Sequence, residues 1–334
     1  MSGKLDKIGT GEGPLAPFGG EKPPAPGWFD WAIARQPERS SFMHQDIPIE
    51  LLTWGKVGKP GLLFLHGDSA HADWWSFIVP FFADNYRCAA ISWSGMGRSG
   101  WRTEGYAFSD YADEAIAAID AAGLDDGSGV MLIAHSLGGY PALVAGARSD
   151  RIRGIISIDS AIVPSQLMIN LPRPVPRPHR IYESAEAALR RFRFMPPTVG
   201  DQYYAIDHIA RHGLIQVESE DGSPGWRWRF DPEIWRNLDR GDLSILPKAA
   251  RCPLALIVGE YSELIDEEVA TYMRGLYPPG TPFVGVPAAG HHIMADQPLS
   301  LVSAIRTCLA FWPDRSPDDG TMCVSQGGHA PPDV

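Results

Sequence analysis

The chain has 334 residues, 44% of them hydrophobic, and a formal net charge of -11. That is apolar enough for a sizeable core, and acidic enough to argue against nucleic acid or an anionic membrane surface as a partner. No run approaches the ~20 apolar residues that span a bilayer, and the first eight residues lack the apolar stretch of a secretory signal.

Residues 1–30, rich in Gly and Pro, are expected to form an extended arm without regular elements. Residues 47–52 read as an early edge strand, where the missing N–H of Pro48 is tolerable. Residues 61–65 are an unbroken apolar run, a short buried strand that leads into His66-Gly67-Asp68. His71, Trp74 and Trp75 follow closely. Residues 87–91 form another strand, opening into a loop from Ser92 to Ser99 that carries Trp93. Residues 109–122 have the capped start and apolar spacing of a helix stopped by Gly123.

The most informative stretch comes next. Residues 130–134 are apolar, His135-Ser136-Leu137-Gly138-Gly139 breaks the run, and 140–148 can continue as a helix. A strand, a sharp turn and a helix, with serine at the turn and small residues (Ala134 and Gly138) two places either side, make a nucleophile elbow. The strained turn lifts the hydroxyl above the sheet, and only small neighbours let strand and helix approach so closely.

Residues 155–158 are a further core strand, ending at Asp159. From about 163 to 246 no buried strand appears, but 184–189 and 202–211 have helical spacing. Residues 173–180, locally basic and proline-rich, suit an extended connector. The alternating segment 225–231 carries Trp226 and Trp228, with Trp235 just beyond; such rings either fill the core of this region or meet a substrate. A strand at 254–258 leads into Gly259-Glu260-Tyr261-Ser262-Glu263, and one at 282–286 into a loop with His291 and His292. Residues 314–334 look unstructured. Cysteines 88, 252, 308 and 323 show no ligand spacing, and Cys88, Cys252 and Cys308, in apolar surroundings, are expected to be packed thiols in a reducing, cytoplasmic setting.

The order of parts (His-Gly loop, nucleophile elbow, late histidine) resembles the α/β-hydrolase superfamily over about residues 40–313. The resemblance implies an α/β fold with a mostly parallel eight-stranded sheet and helices on both faces. It also implies a core of residues 31–163 and 246–313 with an inserted helical cap, 164–245, acting as a lid. Ser136 would be the nucleophile and His291, which follows an Ala-Gly pair, its base. The N–H groups of Asp68 and Leu137 would form the oxyanion hole. The Asp68 carboxylate is expected to turn outward or to pair with Arg98 or His71.

The acid of the triad stays open at this level. Many relatives carry an Asp where this chain has Ser262, which cannot stabilise an imidazolium. Asp159 is favoured, in the register used by haloalkane dehalogenases and zearalenone lactonases; Glu263 and then Glu260 are the alternatives. Trp74, Trp75, His71, Trp226 and Trp228 are candidate substrate contacts. The expected reaction is acyl-enzyme hydrolysis of a hydrophobic, for instance aromatic, ester or lactone, with no cofactor and no metal. The runner-up is a carbon–carbon bond hydrolase of the meta-cleavage type. Behind it stand a cofactor-free oxygenase or haloperoxidase and a non-catalytic binding protein. The expected partner is a small-molecule substrate, not nucleic acid or membrane, and homo-oligomerisation is left open.

Overall fold

The computed structural model describes residues 11–164, 178–219, 222–236, 238, 239 and 241–313. The first ten residues, most of the proline-rich connector and the expected C-terminal tail lie outside them. In chain order the strands are β1 (Glu38–His44), β2 (Ile47–Trp54), β3 (Gly61–Leu65), β4 (Arg87–Ile91), β5 (Val130–His135), β6 (Ile152–Ile158), β7 (Leu214–Glu218), β8 (Pro224–Trp228), β9 (Leu254–Gly259) and β10 (Phe283–Val286). Eight of these make one sheet in the order β1-β2-β4-β3-β5-β6-β9-β10; β7 and β8 form a separate antiparallel pair. β2 runs antiparallel to both its neighbours, and from β4 to β10 every pairing is parallel.

The parallel strands are apolar throughout because both sheet faces are covered. Leu62 and Phe64 of β3 join one buried cluster, with Phe29 and with Leu301 and Ile305 of the helix Pro298–Ala310. Leu63 and Leu65 join the other, with Tyr111 and Ala115 of the helix Phe108–Ala121 and Leu143 of the helix Gly139–Arg148. No helix among the described residues is long and apolar enough to cross a membrane.

Three expectations change. Residues 47–52 are not the sheet edge, because β1 pairs with β2 outside them. Pro48 is tolerated for another reason: its carbonyl accepts from Gly100 N (2.8 Å), so its N-substituted side faces that loop and not the β1 ladder. The N-terminal segment is not a bare arm. Residues 27–34 form a helix, a short 3-10 turn spans Ala16–Phe18, and Leu15 and Phe29 are buried. Its prolines break up repeating structure, but the apolar residues between them bury surface against the rest of the chain. Gly13 N donates to Arg190 O (2.6 Å) and Arg211 to Gly20 O (2.6 Å), which ties the segment to the insertion. Finally, the insertion is not purely helical. It holds Ala185–Leu189 and Tyr203–His212, but also the β7–β8 hairpin, with Leu214 opposite Trp228 and Gln216 opposite Trp226.

The register of the sheet positions the chemistry. β5 and β6 pair Ala134 with Ser157 and His135 with Ile158, so Ser136 and Asp159 leave neighbouring strands at the same height. Both stand at the carboxyl ends of the strands, the edge where open α/β sheets place their ligands.

Candidate active site

Ser136 has a φ of +52°, a left-handed conformation that a residue with a Cβ adopts only under strain. The neighbouring residues make that turn possible. A Cβ on Gly138 would come within 2.5 Å of the His66 carbonyl oxygen, so the small residue read from the spacing is sterically required. Asp159 is held in the same region, with a φ of +49°.

The side chains at these two turns meet through one imidazole. His291 Nε2 lies 2.9 Å from Ser136 Oγ, and His291 Nδ1 lies 2.8 Å from Asp159 Oδ1. A carboxylate only accepts, so Nδ1 carries the proton and Nε2 is free to take the one on Ser136. Asp159 is 1% exposed and accepts two further bonds, from Ser262 Oγ (2.7 Å) to Oδ1 and from Gly259 N (2.9 Å) to Oδ2. Ser262 in turn accepts from Leu264 N (3.3 Å) and Ile265 N (3.2 Å). It cannot replace a carboxylate, but it helps to hold one in place. Glu260 and Glu263 are exposed, and Glu260 is spent on Ala288 N (2.9 Å). Neither alternative is bonded to His291.

The His66-Gly67 turn is oriented by an unusual set of bonds. Trp93 N donates to His66 Nε2 (3.1 Å), which leaves the ring proton on Nδ1 to be donated to Gly67 O (2.7 Å). Burial lowers the pKa of His66 to about 3, consistent with that neutral tautomer. The Gly67 carbonyl therefore points back at His66, and across the trans peptide the N–H of Asp68 points the opposite way. The Asp68 carboxylate is not paired with Arg98 or His71. It accepts from Trp235 Nε1 (3.0 Å) and from Ser69 Oγ (3.3 Å), because Arg98 is taken by Glu50 (3.2 Å) and His71 Nε2 by Ile209 O (3.1 Å). Leu137, the other oxyanion candidate, is buried directly after Ser136. Ser92, just past β4, donates to Glu50 (2.7 Å) and accepts from Ala72 N (2.9 Å).

A cavity of about 410 Å³ opens over Ser136 and His291, roofed by the insertion. Of the expected contacts, His71, Trp74 and Trp228 line it, as do Asp68 and His292. Two do not. Trp75 is fully buried against Phe64 (ring centroids 5.4 Å) in the core beneath the loop. Trp226 shares a strand face with Trp228, but one pleat repeat, about 6.6 Å, carries it past the cavity to Tyr182. Trp93 is also core, beside Tyr111. Phe192, Phe194, Phe230 and Arg229 line the cavity without having been singled out, since nothing in their spacing marks them.

The nearby imidazoles bring no charge. Burial lowers the pKa of His292 to about 3 and that of His71 to about 4, and pushes His135 well down. Nitrogens of His135, His291 and His292 come within 4.8 Å of one another. His291 is already bonded to Ser136 and Asp159, and His135 Nε2 to His291 O (3.0 Å), so a metal there would compete with those bonds.

The model of the alpha/beta hydrolase family matches residues 62–305. Esterase Rv0045c of Mycobacterium tuberculosis is 24% identical over 279 residues, 78% of this chain and 86% of that one. A haloalkane dehalogenase of Mesorhizobium japonicum is 32% identical over 124 residues, 37% of this chain and 39% of its own. Among solved structures, E-2-(acetamidomethylene)succinate hydrolase superposes with a TM-score of 0.69 at 23% identity. That likeness, one of fold, covers 82% of this chain and 99% of the other. With the family model matching most of its length, and the sheet and strand order in agreement, this chain belongs to the alpha/beta hydrolase family.

Proposed function

We propose that the chain is a serine hydrolase that cleaves carboxylic esters or lactones of hydrophobic small molecules through an acyl-enzyme. The observation that carries this reading is the bonded line Asp159–His291–Ser136 at the floor of an aromatic-lined cavity. In the reaction, Ser136 Oγ attacks the carbonyl carbon while His291 Nε2 takes its proton. The N–H groups of Asp68 and Leu137 receive the developing oxyanion. His291 then returns the proton to the leaving alkoxide, and water, activated by the same imidazole, releases the acid. The insertion acts as a lid that excludes water and shapes the pocket, while the core sets the reaction type.

The partial likeness to a haloalkane dehalogenase does not extend to its reaction. Enzymes of that kind depend on an Asp nucleophile, whose ester with the substrate water can cleave. A serine displacing halide would leave a stable ether. The nucleophile argues for acyl transfer.

The test uses p-nitrophenyl esters of graded chain length together with a fluorophosphonate label. Turnover and labelling that both vanish in Ser136→Ala are expected. Labelling without ester turnover, with cleavage of a vinylogous diketone instead, would move the chain to carbon–carbon hydrolysis. Absence of labelling in the folded protein would make it a binding protein.

A further inference from the structure

Several arginines of this acidic chain sit on carboxylates. Arg39 sits on Glu50 and Asp73, each at 2.7 Å, Arg98 on Glu50 at 3.2 Å, and Arg102 on buried Glu114 at 2.8 Å. Arg229 is different. It is half-buried just past β8, lines the cavity over Ser136, and has no ion pair within 4 Å among the described residues. Its Nε donates to Leu214 O (2.7 Å), and its backbone is pinned on both sides, donating to Gly213 O and accepting from Gly97 N, each at 2.8 Å. The Nε bond restricts the planar head, and its terminal amino groups make no hydrogen bond to the described residues, which leaves them available to a ligand in the cavity that Arg229 lines.

Burial, and then the neighbouring Arg98, lower the pKa of Arg229 from the ordinary guanidinium value; Glu50 acts in the opposite direction, Arg227 adds to the lowering, and Asp73 again opposes it. Arg191 and Arg193 line the same cavity, whereas among the described residues Asp68 is the one carboxylate there and accepts from Trp235 and Ser69. In a chain of net charge -11, a pocket wall whose described residues include three arginines and one engaged acid is a local reversal of sign.

A guanidinium with two free, coplanar donors matches the two oxygens of a carboxylate, and its attraction is strengthened where water is excluded. We infer that the substrate carries a carboxylate across the cavity from its scissile carbonyl, received by the terminal amino groups of Arg229 with Arg191 beside it. The aromatic rings then hold the apolar body between the two ends. This inference rests on the ester-hydrolase reading for its kinetics, but not for its binding.

The kinetic arm compares mono-p-nitrophenyl glutarate with p-nitrophenyl valerate, which differ at the far end of the acyl chain. The ratio of their kcat/KM values should favour the anionic ester in the wild type. It should fall at least tenfold in Arg229→Gln through KM, recover in part in Arg229→Lys, and shrink as salt is raised. The binding arm uses Ser136→Ala, with 4-phenylbutyrate and its amide as calorimetric ligands. The carboxylate should bind at least tenfold tighter than the amide, and the difference should vanish once Arg229→Gln is added. If Arg229→Gln does not fold, Arg191→Gln should still lower the kinetic ratio by threefold or more. Ester turnover with a ratio that none of these variants alters by twofold, or equal binding of acid and amide, overturns the anion site. Arg229-dependent carboxylate binding without turnover of either ester keeps it and removes the ester-hydrolase reading instead.

Discussion

Asp159→Asn is the perturbation that bears most directly on the triad. The carboxylate meets three donors with two oxygens: His291 Nδ1 and Ser262 Oγ at Oδ1, and Gly259 N at Oδ2. An amide of the same shape has one acceptor oxygen and two choices. If its oxygen faces His291, its NH2 opposes the Gly259 N–H, and a buried unsatisfied donor costs about 1–3 kcal/mol. If it turns over, the NH2 faces His291 and favours the tautomer with the proton on Nε2, which cannot accept from Ser136. A triad carboxylate replaced in this way in a serine protease lowers turnover about 10⁴-fold. A loss of 10³ to 10⁴ in kcat, about 4–5 kcal/mol in the barrier, is therefore expected here. Tm should drop by no more than several degrees. The assay is kcat on a p-nitrophenyl ester beside a melting curve, with Glu260→Gln and Glu263→Gln as controls that should each lose less than about tenfold. A variant that keeps a tenth of wild-type turnover, or either control losing more than Asp159→Asn, would refute the reasoning.

Ser136→Gly and Ser136→Ala should both be inactive, but the glycine variant should be the more stable by about 1 kcal/mol, because a Cβ at a φ of +52° is strained; equal urea midpoints would argue against strain at the elbow. Trp228→Ala, at the cavity, should raise KM for an aromatic ester several-fold, whereas Trp226→Ala should lower Tm with KM within twofold; the opposite pattern would exchange their roles. Acid sensitivity follows from the buried imidazoles. Burial holds His66, His208 and His292 at about 3 and His71 at about 4, while an unfolded imidazole takes its proton near 6.5. Between these values the unfolded chain binds more protons, so stability is full above about pH 6.5 and falls as the pH drops toward 4. A urea midpoint that stays flat from pH 7 to pH 4.5 would contradict this.

The core strands could be read from the chain because burial on both faces leaves unbroken apolar runs, as in residues 61–65 and 130–134. Ser136 was legible for a related reason, since the elbow imposes its small neighbours. The acid was not, because Asp159, Glu260 and Glu263 all follow the ends of two adjacent strands, β6 and β9. What separates them is pairing register, with His135 opposite Ile158, and a linear pattern does not contain it. The tryptophans failed similarly. Composition places Trp74 and Trp75 together, but one ring turns to the cavity and the next into the core. Arg229 was not singled out, because nothing in the linear pattern separates it from Arg227, two places before it.

The N-terminal segment has a consequence for how this protein is made. Gly20 finds its partner, Arg211, 191 positions later, and Glu12 meets Arg190 after 178. At about 5–20 residues per second, a ribosome needs roughly 10–40 s to supply those partners. For that interval Leu15, Phe18, Trp28 and Phe29 have no insertion to cover them. Prolines and glycines disfavour strand pairing, so their presence among these residues is expected to count against edge-to-edge association of the waiting segment at that stage.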